Sequence, residues 1–336
     1  MLEPPRDPAP GALVDQHGRR KRKLRLSLTD RCNLRCAYCM PEHPTWLPRR
    51  ELLTIEELLQ LSGLFVRQLG ITHIRLTGGE PTLRRGLPEL VHGLQALRAD
   101  GLQRVSMTSN ATRLRELAAP LQAAGLDDLN ISIDARDPEL FQQLTRGPIE
   151  PVLDGIAAAR EAGLPFKLNA VVIRDYNDSQ IETLAAWAFE QDLELRFIEF
   201  MPLDNAQQWS RDRVVTEQEI LQRLGSRFGI VEKQPRVGAS PATEYRVGGR
   251  HRLGIITTVS DPFCGSCDRV RLTAIGELFA CLFSARGTTL RDALRSGAGD
   301  AELMALIRGG VWNKESGFAA PRGYVERPIT MHRLGG

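Results

Sequence analysis

Leu24-Arg25-Leu26-Ser27-Leu28-Thr29 places an apolar residue at every second position and a polar one between. That is the two-residue period of a strand with one apolar and one polar face. The alternation returns in five further stretches. Ile74 and Leu76 interleave with His73, Arg75 and Thr77; Val105 and Met107 with Ser106 and Thr108; Ile131 and Ile133 with Asn130, Ser132 and Asp134. Leu168 and Ala170 interleave with Lys167 and Asn169, and Leu195 and Phe197 with Glu194 and Arg196. Strands are therefore expected over residues 24–28, 72–77, 104–108, 129–134, 166–172 and 194–199. Helical segments fall between them at 54–69, 87–99, 114–124, 152–161 and 181–191. Thr54 is an N-cap, Glu57 completes a capping box, and Gly70, Gly101, Gly125 and Gly163 stand as C-terminal stops. Six βα units imply an α/β fold with a parallel sheet, an incomplete (βα)6 TIM-like barrel over residues 21–235.

A parallel sheet covered on both faces reads as continuous apolar runs, whereas these strands are polar on one face throughout. Either those faces meet solvent, or the barrel interior is wide and holds a polar ligand. The second reading fits six parallel strands better. Arg25, Arg75, Lys167 and Arg196 lie on that polar face, and Arg269 and Arg271 occur further on. Cations there are costly without partners, so they imply a buried anion site, and a polyphosphate is the expected ligand. Internal salt bridges to Asp134 and Glu194 are the plainer alternative. No Walker-type loop is present. Gly78-Gly79-Glu80-Pro81 follows the second strand, where barrel active sites form, and Glu80 is placed to accept from an amine; alone, the segment also reads as an ordinary turn.

The repeat ends near residues 235–240. Residues 236–336 form a C-terminal region with a strand-like stretch at 254–259, a helix from about Leu290 and a Gly335-Gly336 tail. Residues 1–20 read as a flexible N-terminal extension. They are Pro-rich, lack an apolar signal core and carry Glu3, Asp7 and Asp15, so a cytoplasmic protein is expected. The run Arg19-Arg20-Lys21-Arg22-Lys23 reads as a solvated basic face or an anchor for an acidic partner, ahead of a nucleic-acid patch.

Composition narrows the rest. Of 336 residues, 42% are hydrophobic and 25% charged, which excludes a disordered chain. A net charge of +3 gives no nucleic-acid or membrane signature, and no apolar run reaches the length of a membrane span. Six cysteines are the unusual count, in two triplets: Cys32, Cys36 and Cys39, then Cys264, Cys267 and Cys281. Disulfides would strand one thiol per triplet. Structural zinc takes four protein ligands, and neither His43 nor His251 has a usual spacing to complete a set. Iron–sulfur clusters fit best, each with one iron left open. Arg31 and Arg35 flank the first cysteines and are expected to favour their thiolates by charge.

The segment Thr29-Asp30-Arg31-Cys32-Asn33-Leu34-Arg35-Cys36-Ala37-Tyr38-Cys39-Met40-Pro41 resembles the cluster motif of the radical S-adenosylmethionine (SAM) superfamily, and residues 78–81 resemble its GGEP segment. The second triplet and the Gly-Gly tail resemble, more narrowly, the GTP 3′,8-cyclase family of molybdenum-cofactor biosynthesis. The resemblance implies two [4Fe–4S] clusters, one per triplet. The first binds SAM, with Tyr38, Gly79, Ser132 and Met201 contacting it. The open iron of the second contacts the guanine of GTP. Arg25, Arg75, Thr108, Lys167, Arg269, Val270 and Arg271 match GTP contacts, and Arg269 and Arg271 match electrostatic stabilisers of the reaction. That reaction is reductive cleavage of SAM, hydrogen abstraction from C3′ of GTP and attack on guanine C8, giving (8S)-3′,8-cyclo-7,8-dihydroguanosine 5′-triphosphate. An electron donor and a cyclic pyranopterin monophosphate synthase are the implied partners, the Gly-Gly tail enters the active site, and a homodimer is compatible. The sequence departs at Thr108-Ser109-Asn110-Ala111, where Ala111 replaces a family glycine. A peptide-maturing radical SAM enzyme shares the first triplet but usually carries more cysteines; a zinc-stabilised nucleic-acid-binding protein is a more distant alternative.

Overall fold

The apolar residues of the alternating stretches all turn to one side. Leu24, Leu26, Ile74, Leu76, Val105, Met107, Leu129, Ile131, Leu168, Ala170, Leu195 and Phe197 are fully buried in one continuous core. This computed structural model describes residues 11–203, 209–317 and 330–335. The chain opens with β1 (Leu13–Val14) and β2 (Arg20–Lys21). The repeat follows as β3 (Lys23–Ser27), α1 (Ile55–Arg67), β4 (His73–Thr77), α2 (Leu87–Gln95), β5 (Arg104–Ser109), α3 (Leu114–Ala123), β6 (Asp128–Ser132), α4 (Pro138–Thr145), α5 (Glu150–Glu161), β7 (Phe166–Val172), α6 (Ile181–Glu190) and β8 (Leu195–Glu199). Beyond it come α7 (Glu217–Phe228), β9 (Val231–Lys233), β10 (Thr243–Val247), β11 (His251–Ile256), β12 (Arg269–Leu272), β13 (Glu277–Phe279), β14 (Thr288–Thr289), α8 (Arg291–Arg295), α9 (Asp300–Trp312) and α10 (Met331–Leu334).

The six expected strands pair in parallel and in chain order, β3 through β8, in a sheet that does not close. The C-terminal region lays one further parallel strand on each free edge: β11 on β8 and β12 on β3. Residues 257–268, which join β11 to β12, therefore connect the two edges across the open side. The capping box at Thr54 and Glu57 is formed, and an unforeseen second one at Thr216 and Glu219 starts α7. The helix expected at 87–99 ends earlier and tightens into a 3-10 turn at Ala96–Asp100. The helix expected from about Leu290 is short, and the longer α9 follows it. No helix among the described residues is long and apolar enough to cross a membrane.

Two expectations about the N-terminus fail. Residues 1–10 lie outside the described residues, but 11–20 are packed rather than flexible. β1 and β2 form an antiparallel hairpin with Leu13 fully buried, and the Gln16 amide donates to Trp312 at the end of α9. The basic run is likewise no solvated face. Strand alternation turns Arg19 and Lys21 inward, leaving Arg20 and Arg22 exposed.

Candidate active site

The first triplet sits in the loop leaving β3. Its backbone is fixed by the Arg35 amide on Thr145 O (2.6 Å) and the Ala37 amide on Leu144 O (3.0 Å), both at the end of α4. The Cys39 and Met40 amides both donate to Cys36 O, so Cys36 and Cys39 share one turn. Gly78 and Gly79 pass against the same loop. A Cβ on Gly79 would stand 2.3 Å from Arg31 O, so the glycines are required by the loop's backbone before any ligand. Glu80 is not available to an amine. Its buried carboxylate accepts from the Thr82 amide, the Thr82 and Ser109 hydroxyls and the Asn110 amide, tying the ends of β4 and β5 together.

No disulfide joins any two of the six cysteines. Burial, helped by Glu80, pushes the Cys32 thiol up to about 11, and burial also raises Cys36 and Cys39. Of the two flanking arginines, Arg35 does favour the Cys32 thiolate by charge, but burial and Glu80 outweigh it. Arg31 is exposed, and Arg35 spends its guanidinium on Cys32 O, Leu34 O and the face of Trp46. Such thiols ionise when a metal supplies the positive charge. The Cys32 sulfur already accepts from the Leu34 amide (3.4 Å) and Asn110 Nδ2 (3.7 Å), the donors an iron-bound thiolate takes. Among the described residues no three ligand-type side chains converge as around a single ion; a cubane, which takes each thiolate on a different iron, asks for wider spacing. All-thiol triplets with N–H donors fit iron–sulfur clusters.

In the second triplet, Cys267 is shifted the opposite way. Burial opposes ionisation of Cys267, but Lys314 and Arg269 outweigh it and bring the thiol down to about 7. Lys314 Nζ lies 3.2 Å from Cys267 Sγ, and the Phe283 amide donates to Cys281 Sγ at 3.5 Å.

Between the triplets lies the polar face of the sheet. Register places Arg271 beside Arg25 and Arg25 beside Arg75, three guanidinium groups in one row across β12, β3 and β4. Like charges directly opposite one another destabilise a sheet. Burial and mutual repulsion lower Arg25, and burial brings Arg75 and Arg271 down to about 10. Counter-charge is thin: Asp128 is 4.0 Å from Arg75, and Asp268 is 3.4 Å from Arg269. Arg75 Nη1 is buried without a partner among the described residues, and Arg271 donates to the Gly335 carbonyl at 2.5 Å. Gly336 lies outside the described residues.

The salt-bridge alternative holds for a different pair of cations. Lys167 and Arg196 meet Glu194 at 2.9 and 2.7 Å. Asp134 takes no cation among the described residues; its carboxylate accepts from the Tyr38 hydroxyl (2.7 Å) and the Val171 amide, and burial raises it to about 6. Ser132 ends β6 opposite Asn169, and Met201 follows β8. Thr108 lies on β5 beside Asn130. Val270 is fully buried among the apolar residues on the other face, so only its backbone faces a ligand. Ala111 adopts a left-handed φ of 63°, the conformation a glycine takes without strain. Sequence reasoning missed Asn110 and Glu199. Glu199 accepts from the Val259 and Ser260 amides and the Ser260 hydroxyl, pinning the start of the bridging segment. The available signal was position, since both lie at C-terminal strand ends.

Residues 26–188 match the Radical SAM superfamily, and residues 193–320 match Molybdenum Cofactor Synthesis C. The chain is 47% identical over 330 residues to the GTP 3′,8-cyclase of Streptomyces coelicolor, covering 96% of each chain. It is 45% identical to that of Rhodopirellula baltica, covering 97% of this chain and 93% of the relative. Among solved structures, Streptococcus suis SuiB bound to S-adenosylmethionine shares the fold, with a TM-score of 0.58 at 13% identity over 82% of this chain and 65% of that one. With near-complete coverage at this identity, the chain belongs to the GTP 3′,8-cyclase family of the radical SAM superfamily.

Proposed function

We propose that this protein converts GTP and SAM to (8S)-3′,8-cyclo-7,8-dihydroguanosine 5′-triphosphate in the cytoplasm. An electron donor would supply it, and a cyclic pyranopterin monophosphate synthase would take its product. One [4Fe–4S] cluster on Cys32, Cys36 and Cys39 and a second on Cys264, Cys267 and Cys281 would complete the site. The first, when bound, supplies the electron that cleaves SAM. The protein's own residues hold and shield the reactants. Tyr38, oriented by Asp134, together with Gly79, Ser132 and Met201, lines the SAM end of the polar face.

The observation that carries the GTP assignment is the unneutralised row Arg271, Arg25 and Arg75, with Arg269 beside it. A triphosphate is the ligand class whose charge and bidentate oxygens match such a row. Thr108, Lys167 and the backbone of Val270 extend the contact surface, with Lys167 held by Glu194. Arg269 and Arg271 stabilise negative charge near the reacting nucleoside. No side chain is assigned proton transfer. Anaerobic incubation with GTP, SAM and dithionite should yield 5′-deoxyadenosine and the cyclic nucleotide. 5′-Deoxyadenosine formed at the same rate without GTP, or a colourless protein containing zinc and no labile sulfide, would overturn the assignment.

A further inference from the structure

Lys21 is a fully buried lysine to which no expected site role falls, and burying an ammonium group is costly unless it is paired and hydrogen-bonded. Its Nζ lies 2.7 Å from Asp15 Oδ2 and 2.9 Å from Cys267 O. The same Asp15 carboxylate, itself 1% exposed, accepts from Arg19 Nε at 2.7 Å and from the Arg19 amide. Arg19 then extends its other nitrogens to Cys264 O (2.9 Å), Ser316 O (2.6 Å) and Glu315 O (2.6 Å). One carboxylate thus aims two cations at the carbonyls of the two cysteines that bracket Cys264-Gly265-Ser266-Cys267.

The same clasp reaches Lys314. Gln16 Nε2 donates to Lys314 O at 3.2 Å, and Arg19 holds the two residues that follow it. Lys314 Nζ, buried, lies 3.2 Å from both Cys267 Sγ and Arg269 O. The backbone closes the ring, since the Arg22 and Lys23 amides both donate to Asp268 O.

Resting on the two-cluster reading above, we infer that the hairpin β1–β2 is part of the second cluster site. Asp15, Arg19 and Lys21 set the backbone of the Cys264–Cys267 turn, and Lys314 is a positioning residue that donates to the Cys267 thiolate. A cation hydrogen-bonded to a cluster thiolate stabilises the more negative, reduced state. Lys314 therefore raises the second cluster's reduction potential, while Lys21 and Asp15 secure its retention.

The test uses full-length protein in two backgrounds: Cys32, Cys36 and Cys39→Ala, which keeps only the second triplet, and Cys264, Cys267 and Cys281→Ala, which keeps only the first. After anaerobic reconstitution, iron and labile sulfide per chain are measured, with the midpoint potential followed by electron paramagnetic resonance. Lys21→Met and Asp15→Asn should lose most of the cluster in the first background and none in the second. Arg20→Ala, on the exposed side of the same hairpin, should change neither. Lys314→Met should move the second cluster to a more negative potential, and Lys314→Arg should restore it. Loss in both backgrounds would mean a global folding defect and would overturn the inference. So would full loading by every variant at an unchanged potential. If the first background holds no iron and sulfide even without further substitution, the two-cluster reading itself fails.

Discussion

At the scale of single residues, charge that lacks a partner marks the site better than charge as such. Lys167 and Arg196 are satisfied by Glu194, whereas Arg25 is surrounded by Arg271, Arg75 and Arg269. Arg25→Met should therefore move two measurements in opposite directions. GTP affinity by calorimetry should fall about 10- to 100-fold, the worth of one or two charge-assisted hydrogen bonds. Urea unfolding of the nucleotide-free protein should shift to higher denaturant, because a mutual repulsion is removed. Gly79→Ala is the steric counterpart. Its new Cβ would meet the Arg31 carbonyl carbon at 2.6 Å and displace the loop holding the first triplet. Iron bound through Cys32, Cys36 and Cys39 should drop while iron at the second triplet remains, as read in backgrounds retaining one triplet each.

Elements carry the next layer. Helix α5 comes so close to the turn after β5 that a Cβ on Gly155 would lie 2.0 Å from Ala111 O. Gly155→Ala should cost about 1–3 kcal/mol, the usual range for overpacking, measured as a lower urea midpoint. The hairpin β1–β2 adds a pH dependence. Burial alone would raise Asp15, but hydrogen bonds from Lys21 and Arg19 and the charge of Lys21 win, and the folded carboxyl is held below its ordinary value. A depressed carboxyl contributes stability that is complete above its unfolded pKa of about 3.9 and is lost as pH falls through the lower folded value. Asp15→Asn should accordingly flatten the acid limb of urea midpoint against pH. Thr54 and Glu57 show the element scale at its most legible, since four residues specify both the start of α1 and its hydrogen bonds. The hairpin shows it at its least legible. Two-residue strands have no period to read, and a run of five basic residues looks solvated until a partner carboxylate is located.

For the whole molecule, the site is a property of pairing between distant segments. Arg269 and Arg271 join Arg25 because β12, almost 250 residues after β3, lies parallel to it in register. The resulting field is buried but reachable by salt. GTP affinity should fall several-fold between low and high ionic strength, while guanosine, lacking the triphosphate, should show little change. Equal salt sensitivity of both ligands by calorimetry would place the triphosphate elsewhere.

What the sequence alone determined was local and periodic. It determined the polar-faced strands of an open barrel, the helix caps, the grouping of cysteines in threes and the motif around Cys32, because each is written within about twenty consecutive residues. Tertiary structure decided which cations are neutralised, where Glu80 and Asp134 spend their carboxylates, and that Asp15, Arg19 and Lys21 are interior. Those outcomes depend on the partner that folding brings alongside each charge, and burial makes the absence of one expensive. A chain read in order carries the charges but not their neighbours.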